Sequence, residues 1–187
     1  MSYAQDKNSA FIDKVYPFLL KNKAMPKGKL VDIEQHSDEL SNLLDRWSGI
    51  DYFYLYDGKM SSLAVRCQAV KASEGAYRPF NTFSIRKQKD NGVRTEKEKR
   101  LEAIRCGLVY PTHTIQAYLA DNMKGDVVSV AVIRTVELYS MYDLHPEIIH
   151  ERRAMTGGDT NLFDYLNWSD IIGKCGIKIL HNTINLG

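Results

Sequence analysis

The segment "IDYFYLYDGKMSSLAVRCQAV", residues 50–70, constrains the fold more than any other part of the chain. Its two halves are rich in strand-forming residues and meet at Asp57-Gly58, a pair that accepts the backbone of a tight hairpin turn. Two antiparallel strands are predicted. Strand alternation puts Ser62, Ala64, Arg66 and Gln68 on one face of the second strand and Leu63, Val65, Cys67 and Ala69 on the other. The apolar face needs a covering layer, and the polar face allows Arg66 and Gln68 to share a surface with Asp51 at the mouth of the hairpin.

Helical spacing supplies such layers. Leu40, Leu43, Leu44 and Trp47 in "SDELSNLLDRW" stand at i, i+3, i+4 and i+7, and Gly49 follows as a stop. Phe11, Val15, Phe18 and Leu19 predict an earlier helix, which Pro17 should kink or end because it lacks a backbone donor. Between them, the basic "NKAMPKGK" at residues 22–29 reads as a mobile connector. Thr95 and Glu98 form a capping box for a helix through "TEKEKRLEAIRCG", with Leu101, Ile104 and Leu108 on one face and Gly107 at its end.

The remaining segments read mainly as strands. "FNTFSIRK" alternates Phe83 and Ile85 with Thr82, Ser84 and Arg86, and "DNG" closes it. "HTIQAYLA" and "DVVSVAVIR" flank the turn "NMKG", and the near-continuous apolar run of the second predicts cover on both faces. "TVELYSMYDL" is helical up to Pro146, "MTGGDTN" is a flexible loop, and "LFDYLNW" and "GIKIL" are late edge strands. The expected architecture is α/β (α+β), with a central mixed sheet of about five or more strands, an αβββαβ-like core and flanking helices. All 187 residues are expected to form one domain.

Composition excludes several classes. Apolar residues make up 44% and charged residues 26%, the mix of a globular protein and not of a disordered chain. A net charge of +2 is too small for the whole molecule to act as a polycation on nucleic acid, although a local patch is compatible with phosphate binding. Three cysteines without a close pair suggest neither a disulfide framework nor a four-ligand zinc site, which fits a reducing cytoplasm. The N-terminal residues lack the layout of a signal peptide, and no apolar run is long enough for a bilayer, so no membrane association is expected.

The order helix, strand, strand, strand, helix, strand over residues 37–120 resembles the core of the PD-(D/E)XK, or restriction-endonuclease-like, nuclease superfamily. In that family an acid near the start of one strand and a (Glu/Gln)-x-Lys on the next converge on a divalent metal. Asp51 matches the first acid, and the second element reads Ala64-Val65-Arg66. The resemblance implies a nucleic-acid phosphodiesterase in which Asp51 binds Mg²⁺ as a hard oxygen ligand, Arg66 contacts the scissile phosphate and Gln68 stands beside it. Glu34 and Glu96 are the candidates for the missing carboxylate, and Arg86, Arg152 and Arg153 for further phosphate contacts. Ala64 cannot bind a metal, and Arg66 stays protonated where a Lys would stand. These departures favour the alternative, an inactive relative that binds nucleic acid or a protein partner. "FNTFSIR" followed by "TEKEK" also resembles small proteins of phages and mobile elements. An unrelated α/β enzyme with a scattered site remains a third alternative.

Other motifs carry less. His145 and His150 are five residues apart with Pro146 between them, so they lack the one-face spacing of a metalloprotease helix. "TGGDTN" has no Gly-Lys-Ser/Thr of a phosphate loop. Cys67 on an apolar face reads as a small hydrophobe, Glu98 as a cap, and the eleven tyrosines chiefly as core or rim packing with base stacking as the alternative.

Overall fold

The computed structural model describes residues 8–33, 44, 48–73, 76–89, 95–156 and 159–182. At the hairpin, Asp57 and Gly58 both take positive φ, 45° and 68°, and Tyr56 pairs with Lys59 directly across the two-residue turn. This turn joins β2, Tyr52–Tyr56, to the long strand β3, Lys59–Ala69. β1, Lys29–Asp32, pairs antiparallel with β2 on the other side. The connector read from "NKAMPKGK" therefore ends in a strand. It is anchored: the hydroxyl of Tyr16 donates to the carbonyl of Gly28 at 2.8 Å, and that of Tyr54 donates to the carbonyl of Pro26. A Cβ on Gly28 would collide with the backbone oxygen of Leu55.

Before β1 lies α1, made of a π-helical turn, Phe11–Val15, continuing into an α-helical segment, Tyr16–Lys21. Pro17 does not end this helix. The π turn closes with the Tyr16 N–H donating to Phe11 O, and Pro17, which has no N–H to donate, follows at the point where the bonding changes from π to α winding. Past β3, the two-residue strands β4, Ala72–Ser73, and β5, Ala76–Tyr77, form a small ladder ahead of β6, Thr82–Lys89. Then come α2, Glu96–Cys106, β7, His113–Leu119, β8, Val127–Arg134, and α3, Thr135–Leu144. β9, His150–Thr156, β10, Asp159–Asn167, the short α4, Trp168–Ile171, and β11, Lys178–His181, complete the chain.

The central sheet has the order β1-β2-β3-β7-β8-β11, and a second sheet the order β6-β10-β9. β3 and β7 run parallel, from Leu63 opposite His113 to Ala69 opposite Leu119, with α2 in the crossover between them. All other pairings in the central sheet are antiparallel. The α/β (α+β) reading with a mixed central sheet of five or more strands therefore holds; an αβββαβ order is found only among α1 and the central-sheet elements β1, β2, β3, α2 and β7, with β4, β5 and β6 inserted between β3 and α2. The strand containing Phe83 and Ile85 does not extend the central meander. Because β7 takes the open edge of β3, β6 lies over the sheet and directs Phe83 and Ile85 at its face. "MTGGDTN" contributes to β9 and β10 instead of a loop, and β10 is the middle strand of the second sheet, not an edge. β11 is an edge strand, as expected. The helix expected over residues 37–47 lies outside the described residues.

Two apolar clusters flank the central sheet. On one face Phe11, Val15 and Leu19 of α1 pack on Leu63, Cys67 and Ile115. On the other, Phe83, Ile85, Leu166 and Trp168 pack with Leu138 against Tyr118, Ala131 and Ile133. β8 contributes Val130 to the first cluster and Ala131 and Ile133 to the second, as its apolar run predicts. Each large side chain buried this way contributes about 1.5–3 kcal/mol. Leu108 is 56% exposed because Gly107, at φ 65°, turns the chain away from α2 just before it. Among the described residues no helix is long and apolar enough to cross a membrane.

Candidate functional site

Alternation along β3 sends Leu63 and Cys67 into the α1 side of the sheet and leaves Ala64 and Arg66 facing the second sheet. There a cavity of about 460 Å³ opens between the central sheet, the free edge of β6 and the start of α2. Asp51, Arg66, Arg86 and Glu96 all line it. Gln68 lies further along β3 and does not, and Arg152 and Arg153 sit on β9, away from it. Glu34 falls outside the described residues.

Asp51 is held where three strands meet. Its N–H donates to Leu63 O at 2.9 Å, its carbonyl accepts from Ile33 N at 3.1 Å, and its Oδ2 accepts from Val65 N at 2.5 Å. Arg66 crosses the cavity wall: Nη1 donates to Ser84 O on the β6 edge at 2.7 Å, and Nη2 is ion-paired with Glu96 in the first turn of α2. Burial works against the Arg66 cation, but the charges of Glu96 and Asp51 outweigh it and hold the guanidinium above its ordinary pKa. Arg86 is shifted the other way, by burial first and by the neighbouring Arg66 cation second. Its Nε is buried with no hydrogen-bond partner among the described residues.

Two further residues join these, and neither was expected. Arg100 is 5% exposed and stands one helical turn after Glu96, so both reach the same wall. Its Nη2 donates to Gly49 O at 2.6 Å, an approach that depends on Gly49: φ is +54°, and a Cβ there would stand 2.6 Å from that same nitrogen. Gln116, opposite Arg66 in the parallel register, is 2% exposed, and its amide nitrogen has no hydrogen-bond partner among the described residues. An unmet buried donor of this kind costs about 1–3 kcal/mol unless something accepts from it. The available sequence signals were the i, i+4 relation of Glu96 to Arg100 and one amide in an otherwise apolar strand.

Three guanidinium groups thus face two carboxylates, a local excess of one positive charge among the described lining residues (3 − 2). A magnesium site fits this donor set poorly. Asp51 and Glu96 are both engaged by protein donors, Ala64 supplies nothing, and among the described residues no three His, Cys, Asp or Glu side chains gather to hold a metal. The geometry suits an anion that accepts hydrogen bonds from Arg66, Arg86 and the Gln116 amide. No family model matches the chain, and no characterised protein or solved structure shows significant similarity to it.

Proposed function

We propose that this chain acts on nucleic acid as a relative of the restriction-endonuclease-like class, with the cavity receiving a backbone phosphate without a catalytic metal. One observation carries the reading: Arg66, Arg86 and the Gln116 amide, which has no hydrogen-bond partner among the described residues, converge on one cavity bordered by Asp51, beside the parallel pair of β3 and β7. A phosphate there would occupy the donors that the protein itself leaves unmet. Arg is suited to this task because its planar fork matches phosphate oxygens and never loses its charge.

The test is anisotropy of fluorescein-labelled DNA and RNA oligonucleotides with the full chain at 50 and 200 mM salt. Binding should weaken as salt rises, because each phosphate contact releases counterions, and Arg66→Met should reduce the slope of log K against log salt by about 0.7–0.9. Salt-indifferent binding would overturn the reading and point to a protein partner. A second reading, metal-dependent hydrolysis with Mg²⁺, is favoured by Asp51 and Glu96 lining the same cavity. Cleavage in Mg²⁺ or Mn²⁺ that is lost in Asp51→Asn would decide for hydrolysis. Intact oligonucleotide under those conditions supports binding alone.

A further inference from the structure

The outer face of the second sheet arranges cations and rings in rows. Across β6, β10 and β9 the register places Arg86, Phe163 and Arg152 in one row. The next row holds Ser84, Tyr165 and His150, with the His150 and Tyr165 ring centroids 5.1 Å apart. The Arg86 guanidinium lies 5.6 Å from the Phe163 centroid, and that of Arg152 lies 5.3 Å from the ring of Phe80, which is 66% exposed. Phe163 lies at the end of the unbroken part of the β6–β10 register, just before the shift at Leu162, and the regular β9–β10 register sets it opposite Arg152 as well.

Charge is sorted between the two faces of this sheet. The acids of the same strands, Glu151 and Asp164, point the opposite way, where they bond to Lys87 and Lys97. Near the outer rows Asp170 lies 3.9 Å from His150. A surface of arginines and flat rings complements a strand whose bases are unpaired: the rings stack on bases, and the guanidinium groups take phosphates or stack as planes. A duplex hides its base faces and gains nothing from those rings. Phe163 and Tyr165 are two residues apart on one strand, about 7 Å, a spacing within reach of successive bases in an extended chain.

We infer that the outer face of β6, β10 and β9 binds single-stranded nucleic acid by stacking bases on Phe163 and Tyr165, with Arg152 and Arg86 on its phosphates. This deepens the phosphate-cavity reading and rests on it. Arg86 belongs to both surfaces, so it leads a strand lying on the sheet towards Arg66 and Gln116.

The experiment compares labelled single-stranded dT12, single-stranded rU12 and a 12-base-pair duplex by anisotropy with the full chain. Single strands should bind at least about tenfold more tightly than duplex. Phe163→Leu and Tyr165→Leu keep apolar bulk but remove the flat face. Each should weaken single-strand binding about 5–100-fold while the protein stays folded and duplex affinity is unchanged. Arg66→Met should lower the salt slope for every ligand and leave the single-strand preference intact. Equal affinity for single strand and duplex, or folded leucine variants that bind dT12 like the parent, would overturn the inference while leaving the cavity reading standing. Loss of the Arg66 effect with the leucine effects retained would overturn the cavity reading instead. No binding to any of the three would overturn both.

Discussion

Replacing Glu96 with glutamine should make the protein bind nucleic acid more tightly, although it removes an ion pair. Glu96 and an incoming phosphate compete for the same Arg66 guanidinium. Two anions sharing one guanidinium stand roughly 5–6 Å apart, and at an effective dielectric of about 20 their repulsion is about 3 kcal/mol. The Arg66 and Glu96 side chains are 27% and 25% exposed, so solvent and salt screen roughly half of this. About 1.5 kcal/mol remains, or tenfold in affinity. The same change weakens the clamp between β3 and α2, and a fall in stability of about 1–2 kcal/mol is expected, less than for a fully buried pair. The assay is oligonucleotide anisotropy at 50 mM salt, paired with urea denaturation to confirm folding. A folded Glu96→Gln protein that binds like the parent, or more weakly, would refute phosphate capture by Arg66. Weaker binding that appears only when Mg²⁺ is present would show that Glu96 acts through a metal.

Three other outcomes follow from the packing. Asp164 is 1% exposed and accepts from Lys97 at 2.7 Å and from Tyr142 at 2.9 Å, so Asp164→Ala leaves a partly buried cation and a hydroxyl without their acceptor. Urea denaturation should show a loss of about 3 kcal/mol, and a loss below about 1 kcal/mol would contradict the role given to this cluster. Glu98 Oε2 accepts from the N–H of Thr95 at 2.8 Å, so Glu98→Ala should cost about 1 kcal/mol and fray the first turn of α2, measurable by amide exchange. Burial, and then the Arg134 charge, hold the His113 pKa below its usual value. Below about pH 6.5 the unfolded chain therefore takes up a proton that the folded chain refuses, and stability falls on acidification from neutral pH towards the lowered pKa. His113→Gln should flatten that part of the curve in thermal melts at pH 5–7.

Local chemistry made part of this structure legible in the sequence. Asp57-Gly58 encodes its turn in two residues, and Thr95 with Glu98 encodes a helix start in four, so both could be placed without knowing the rest of the fold. The parallel pairing of β3 with β7 joins segments about fifty residues apart and leaves no local mark on either. Without that pairing, β6 reads as the next strand of a meander. β1 was hidden because four residues, Lys29–Asp32, are too few to show an alternation. The degenerate motif points to Asp51 and Arg66 alone; Glu96, a candidate for the missing carboxylate, and Arg86, a candidate phosphate contact, share their cavity, but Glu96 faces a guanidinium in place of a metal. Arg100 could not be singled out because its position depends on the left-handed backbone of Gly49, fifty-one residues away along the chain. The row of Arg86, Phe163 and Arg152 depends on the pairing of β10 with both β6 and β9, which no composition or periodicity reveals.

The π turn at Phe11–Val15 makes α1 a timing device. One side of it carries Phe11, a core residue packed on Tyr52 that also reaches the cavity lining, and the other begins the run through Leu19 that packs in the same core. A π turn is an α-helix holding one residue more than it needs, and each residue is worth about 100° of rotation. Removing the exposed Asp13 would return the helix to ordinary winding and would leave the Leu19 side seated. It would also swing Phe11 about a quarter of a turn from the cavity wall. The phase between Phe11 and Leu19 in their shared core is thus stored in a single surplus residue, and losing it would unseat Phe11 from that core as well as from the cavity.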